Sequence, residues 1–180
     1  MIPQIRFLRG TVDARSLQSM DVKEMVLAFT GHRPEKLPWG SDESDPRCEA
    51  LKQQLLEAVR AAALEGYDTF LCGMARGCDL YFAEAVLRLG LRLEAWLPCP
   101  SQTERWGEAD RARQRSLLLD CAAVYMVEQT YSPGCMLRRN QRMIDAADGL
   151  LTVYDGSPGG PGAAIDYAKK RGKPLTGLWL

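Results

Sequence analysis

Two stretches carry most of the residues that could bind a charged ligand: "GMARGCD" at 73–79 and "SPGGPG" at 157–162. Each joins an apolar run to a helical pattern. Glycine lets the backbone approach a ligand closely and adopt positive φ. Amides at a helix start carry a partial positive charge of roughly half an electron and favour anions such as phosphate. Gly73, Met74, Ala75 and Gly77 in the first stretch, and Gly159, Gly160 and Gly162 in the second, are therefore candidates for a backbone phosphate cradle. The plainer reading is a pair of tight turns, the first with Asp79 as helix N-cap. Neither stretch is G-x-G-x-x-G, and no Walker A lysine is present.

Three further groups add chemistry. "TGHRP" places Thr30, Gly31, His32 and Arg33 directly after an apolar run. In "CMLRRNQRMIDAAD", Met136, Met143 and Ala147 define an apolar stripe at helical spacing, with Asn140 inside it and Arg139 at its border. A polar residue on a core-facing stripe needs a partner. Asn140 either satisfies a loop carbonyl or, with Arg139, reaches a phosphate or ribose, where arginine offers fork-shaped contacts. Trp106, in "PCPSQTERW", either stacks on a base or covers the core.

These residues need a frame to hold them. "MVLAFTG", "YDTFLCG", "LRLEAWLP", "AAVYMV", "GLLTVYDG" and "PLTGLWL" are short continuous apolar runs. Helical patterns separate them: "CEALKQQLLEAVRAAALEG" carries Leu51, Leu55, Val59 and Ala62 on one face, and "LYFAEAVLRLG" carries Leu80, Ala83 and Leu87. Alternation of this kind predicts an α/β fold, a doubly wound and mostly parallel sheet flanked by helices. Ligands of such sheets bind outside the carboxyl ends of the strands, which is where every loop named above falls. One domain is expected over 25–180. Residues 1–24 read as an N-terminal extension, weakly structured or contributing an extra strand through "PQIRFL".

Composition narrows the function classes. The chain has 180 residues, 46% hydrophobic and 26% charged, with formal net charge zero. A neutral chain lacks the basic excess of a non-specific nucleic-acid binder, so nucleic acid is disfavoured as a partner. No apolar run is long enough to span a bilayer and no signal-peptide core stands near residue 1, which points to the cytoplasm and away from membranes. Six scattered cysteines without a CxxC pair, and a single histidine, suit reduced core thiols rather than disulfides or a metal site. No cofactor is expected.

The motifs "TGHRP", "GMARGCDLYFAEA", "PCPSQTERW" with Gln102, and "NQRMIDAADGLL" together resemble the SLOG superfamily, and within it the YpsA-like family, over about residues 25–155. The resemblance implies a Rossmann-like fold, a nucleotide or nucleotide-derived small ligand, and a homodimer. The 158–166 stretch is also similar to the P-G-G-x-G-T-x-x-E motif of the Lonely Guy phosphoribohydrolases, with Ala163 in place of the threonine and Asp166 in place of the glutamate. That likeness implies Arg139 and Asp166 as a catalytic pair. Three readings follow: a nucleotide-binding sensor, favoured; an N-glycosidic hydrolase acting through Asp166 and Arg139; and single-strand binding as in the DprA branch, through Arg111, Arg113, Arg115, Arg138, Arg139 and Arg142.

Overall fold

Among the described residues, alternating runs and helical stripes are realised as seven strands and five helices. The computed structural model describes residues 5–7 and 24–180. The strands are β1 (Ile5–Phe7), β2 (Met25–Gly31), β3 (Tyr67–Cys72), β4 (Arg92–Leu97), β5 (Ala123–Met126), β6 (Gly149–Tyr154) and β7 (Leu175–Trp179). The helices are α1 (Pro46–Leu64), α2 (Cys78–Arg88), α3 (Glu108–Asp120), α4 (Cys135–Ala146) and α5 (Gly160–Lys170). Short 3₁₀ turns occupy Pro34–Lys36 and Pro100–Thr103.

The sheet order is β1-β5-β4-β3-β2-β6-β7, and every neighbouring pair is parallel. From β2 the chain walks outward through β3, β4 and β5, then returns across β2 to β6 and β7. The loops after β2 and β6 consequently leave in opposite directions. Their carboxyl ends form the crevice where a doubly wound sheet accepts ligands. Ile5–Phe7 pairs with β5 at the far edge; the remainder of the expected 1–24 extension lies outside the described residues, apart from Glu24.

Strand side chains alternate between faces, and the core divides accordingly. Leu27, Phe29, Phe70 and Leu93 pack with Leu51, Leu55 and Val59 of α1 and with Leu80, Phe82 and Val86 of α2. Val26, Ala28, Leu71, Trp96 and Leu150 pack with Met143, Ile144 and Ala147 on the α4 side and with Ala164 and Ala168 of α5. The rings of Phe29 and Phe82 stack at 4.3 Å between centroids. Helix α1 starts where its chemistry dictates: Pro46 takes the first turn and the Asp45 carboxylate accepts the Arg47 amide at 2.8 Å.

Two helix expectations need correction. The N-cap of α2 is Gly77, not Asp79, which sits inside the first turn. In α4 the buried stripe runs through Cys135, Arg139, Met143 and Ile144, so Arg139 occupies its centre and Asn140 is only half-buried. Pattern reading reserves a stripe centre for an apolar side chain. Here a missing side chain on the sheet, at Gly73, makes room for a guanidinium instead.

Candidate functional site

The α4 stripe carries Arg139 to the carboxyl edge of the sheet, against β3 and β4. Arg139 is 4% exposed. Its Nη1 donates to the Trp96 carbonyl at 3.0 Å, and its buried Nε has no hydrogen-bond partner. The guanidinium rests in a notch over Gly73: a Cβ at that position would lie 1.7 Å from Nη1 and 2.1 Å from Cζ. Any residue larger than glycine would displace it. Burial pulls the Arg139 pKa down, and the nearby Asp79 carboxylate opposes that pull.

Asp79 is equally buried. Its carboxylate accepts the Ala75 amide at 3.1 Å and also the Gly31 amide. Burial pushes its carboxyl upward, against the attraction of Arg139, those amides and Arg33. The loop preceding it is tied down residue by residue. Gln102 donates to the Gly73 carbonyl and Gln114 to the Met74 carbonyl, both at 2.9 Å. Met74, fully buried, holds φ at 55° and donates its amide to Cys72 Sγ. A non-glycine residue at positive φ is uncommon and persists where its surroundings over-determine it. Gly77, with φ of 81°, lets α2 close on β2: the Cys78 amide reaches the His32 carbonyl at 3.1 Å, and a Cβ on Gly77 would meet that same oxygen at 2.8 Å.

These bonds remove Met74 and Ala75 from the donors of the cradle expected at 73–77. The amides of Met74, Ala75 and Cys78 already have acceptors within the protein. Free donors lie elsewhere. In the first turn of α5, Gly160 and Gly162 have no acceptor among the described residues, and Pro161 carries no N–H. The same holds for Met136 and Leu137 in the first turn of α4. No side chain caps either helix.

Both helix starts open on one cavity of about 510 Å³, within the usual range of about 300–1,000 Å³ for small-molecule sites. The loop after β2 supplies Thr30, Gly31, His32, Arg33, Glu35 and Lys36 to its wall; α2 and its approach supply Ala75 and Asp79. From α4 come Arg139, Asn140, Met136 and Leu137, with Gly134 before them, and from α5 and its approach Pro158, Gly159, Gly160 and Pro161. Three cationic side chains face two carboxylates, and one of those, Glu35, is bound to Arg76.

Histidine 32 is a brace for this wall. It is buried, its Nε2 accepts the Asp155 amide at 3.3 Å, and the same nitrogen lies 2.8 Å from Asp155 Oδ1. Asp155 Oδ1 in turn accepts the Ser157 amide at 2.8 Å, shaping the loop that leads to α5. The Ser157 bonds and then the His32 contact hold the Asp155 carboxyl at about 2.

The structure thus brings together Thr30, Gly31, His32, Arg33, Ala75, Asp79, Arg139, Asn140, Gly159 and Gly160 around one cavity. It leaves out Gly73 and Met74, which lie beneath Arg139 and in the core, and Gly77, which packs on His32. Gly162 faces the Tyr154 hydroxyl, and Trp106 is half-buried outside the cavity wall. Asp166 is exposed and also outside it, so the suggested Arg139–Asp166 pair is not assembled. Helix α5 buries Pro161, Ala164 and Ala168, and a residue two past Ala164 points to the opposite side. Sequence reasoning missed the α4 amides, Lys36 and Asp155. A basic residue just after "TGHRP" was a readable signal for Lys36; the His32–Asp155 pair spans 123 positions and left none.

The cysteines at 48, 72, 78, 99, 121 and 135 are buried and unpaired. Among the described residues no three His, Cys, Asp or Glu side chains gather as a metal site, and no helix is long and apolar enough to cross a membrane.

A family model described as the YspA SLOG family matches residues 27–173. A UPF0398 protein of Bacillus thuringiensis (strain Al Hakam) is 31% identical over 157 residues, which cover 82% of this chain and 84% of that protein. A UPF0398 protein of Bacillus cereus (strain AH187) matches to the same extent. Among solved structures, DNA processing protein A from Helicobacter pylori, described for its single-stranded DNA binding mode, superposes with a TM-score of 0.62 at 19% identity, over 86% of this chain. This chain spans 65% of that protein's length. The structural-genomics target TM1055 gives a TM-score of 0.55 at 19% identity, over 84% of this chain and 72% of that one. At that identity both likenesses speak for the fold.

Proposed function

The chain belongs to the YspA SLOG family, and from that footing we propose that it is a cytoplasmic binding protein for a nucleotide or nucleotide-derived anion, held in the crevice between β2 and β6. One observation carries this reading: the buried guanidinium of Arg139, with an unpartnered Nε, lines the same cavity as Met136, Leu137 and Gly160, whose first-turn amides have no acceptor among the described residues. Two helix starts and a fixed cation favour an anionic group without further machinery. Thr30, Asn140 and the remaining lone pairs of Asp79 supply donors and acceptors for sugar hydroxyls. A sensor role fits better than hydrolysis, because no free carboxylate faces Arg139 in the cavity: Asp79 is engaged by two amides, Glu35 by Arg76, and Asp166 is outside.

Single-stranded DNA is the competing ligand, suggested by what the Helicobacter pylori protein binds. The arginines that would form its groove are largely committed. Arg111 and Arg115 pair with Glu108, Arg113 with Glu43 and Glu84, and Arg138 with Glu128. Native mass spectrometry of protein purified from cells tests the proposal. The expected result is an adduct of nucleotide mass that is lost in Arg139→Gln. In parallel, oligothymidylate binding is titrated against salt. Tight, steeply salt-dependent oligonucleotide binding with no small-molecule adduct would overturn it in favour of DNA.

A further inference from the structure

Three aromatic rings form a row at the carboxyl edge of the sheet, and only its first member belongs to the cavity wall. His32 follows β2, Tyr154 ends β6 and Trp179 ends β7, so the three stand side by side on adjacent strands. His32 stacks on Tyr154 with centroids 5.8 Å apart, and Tyr154 meets Trp179 at 6.0 Å. Tyr154 and Trp179 are register partners, so their side chains share one face. That face is the α5 face: a Cβ on Gly162, in the first turn of α5, would lie 3.0 Å from the Tyr154 hydroxyl. The row therefore leads from the cavity, past the start of α5, to an indole that is 72% exposed. The other tryptophans offer no such surface, Trp39 and Trp96 being buried and Trp106 half-buried.

Resting on the ligand reading above, we propose that Trp179 is the stacking platform for the aromatic base of the nucleotide whose phosphate lies at Arg139 and the α5 start. An exposed indole flanked by a second ring offers a base a large apolar face at little entropic cost. Stacking tolerates every base, since each has a π-face. The row gives the site two parts. The anion end is built from residues inside the stretch that matches the family, whereas Trp179 lies beyond it.

Calorimetric titration with AMP and with ribose 5-phosphate, which lacks the base, separates the parts. AMP is expected to bind roughly tenfold or more tightly than ribose 5-phosphate, as one stacked base allows. Trp179→Ala should remove that advantage and leave ribose 5-phosphate binding unchanged, and Trp179→Phe should restore most of it. Equal binding of the two probes, or an AMP advantage that survives Trp179→Ala, would refute the platform while the anion site stands. Failure of both probes to bind would refute the anion site and the platform with it. Oligothymidylate binding that depends on Trp179 in the absence of AMP binding would assign the row to single-stranded nucleic acid and overturn the proposal.

Discussion

Replacing Gly73 by alanine places a methyl group where the Arg139 guanidinium now rests, 1.7 Å from Nη1, 2.1 Å from Cζ and 2.5 Å from Nη2. No rotamer change of a single methyl relieves such contacts, so Arg139 must move. The end of an arginine normally swings aside at little cost. Here the side chain is 96% buried, by its 4% exposure, and the room open to it is the cavity it lines. Moving there breaks the 3.0 Å bond from Nη1 to the Trp96 carbonyl. It leaves that carbonyl without this donor and weakens the attraction to Asp79. A hydrogen bond to a charged group contributes about 1.5–3 kcal/mol, and overpacking adds roughly 1 kcal/mol or more. Gly73→Ala should therefore lower unfolding free energy by about 2–4 kcal/mol in urea denaturation. It should also weaken ribose 5-phosphate binding at least tenfold, since the displaced cation blocks its own site. In an Arg139→Ala background the same substitution meets no guanidinium and should cost less than about 1 kcal/mol, a non-additivity that a double-mutant cycle reads directly. Additive effects, or a Gly73→Ala protein as stable as the parent, would refute the notch as the reason for glycine.

Two other outcomes follow from the same geometry. Asp166→Asn should leave stability within about 0.5 kcal/mol and ribose 5-phosphate affinity unchanged, because the carboxylate is exposed and outside the cavity; a lost affinity, or a base-release activity that disappears in this variant, would revive the hydrolase reading. For Asp155, the folded carboxyl sits at about 2, below its ordinary value of 3.8. A depressed carboxyl stabilises the fold fully above the unfolded value and loses that contribution as pH falls from about 4 towards 2. Melting temperatures measured across that window should fall more steeply for the parent protein than for Asp155→Asn, and parallel curves would contradict the role assigned to the Ser157 and His32 contacts.

Much of the architecture was legible because strand and helix periods differ. Short continuous runs such as "MVLAFTG" and "GLLTVYDG", bounded by glycine, read as buried strands, and the 51–55–59–62 stripe reads as a helix face. From strand order follows a crevice, and "TGHRP" and "SPGGPG" both reach it. What failed was the inference from glycine to amide donor. In "GMARGCD" the glycines serve close approach, one to a guanidinium and one to a carbonyl, while the neighbouring amides are consumed by Cys72, Asp79 and His32. A glycine looks the same in sequence whether a ligand or a side chain fills the space above it. Arg139 was misplaced by one position on α4 for the same reason, since its burial depends on Gly73, 66 residues away. Donors of α4 were invisible because an unsatisfied first turn leaves no residue signature. Trp179 was read only as part of a strand, and its exposure emerged from β7 being the sheet edge.

Calorimetric titration of ribose 5-phosphate into the parent protein and into Arg139→Gln and Arg139→Lys tests the anion site most directly. The parent should bind, Arg139→Gln should lose at least tenfold in affinity, and Arg139→Lys should fall between them, because the charge returns without the planar fork. Equal binding by all three, or none by the parent, would contradict an anion held between Arg139 and the α4 and α5 starts.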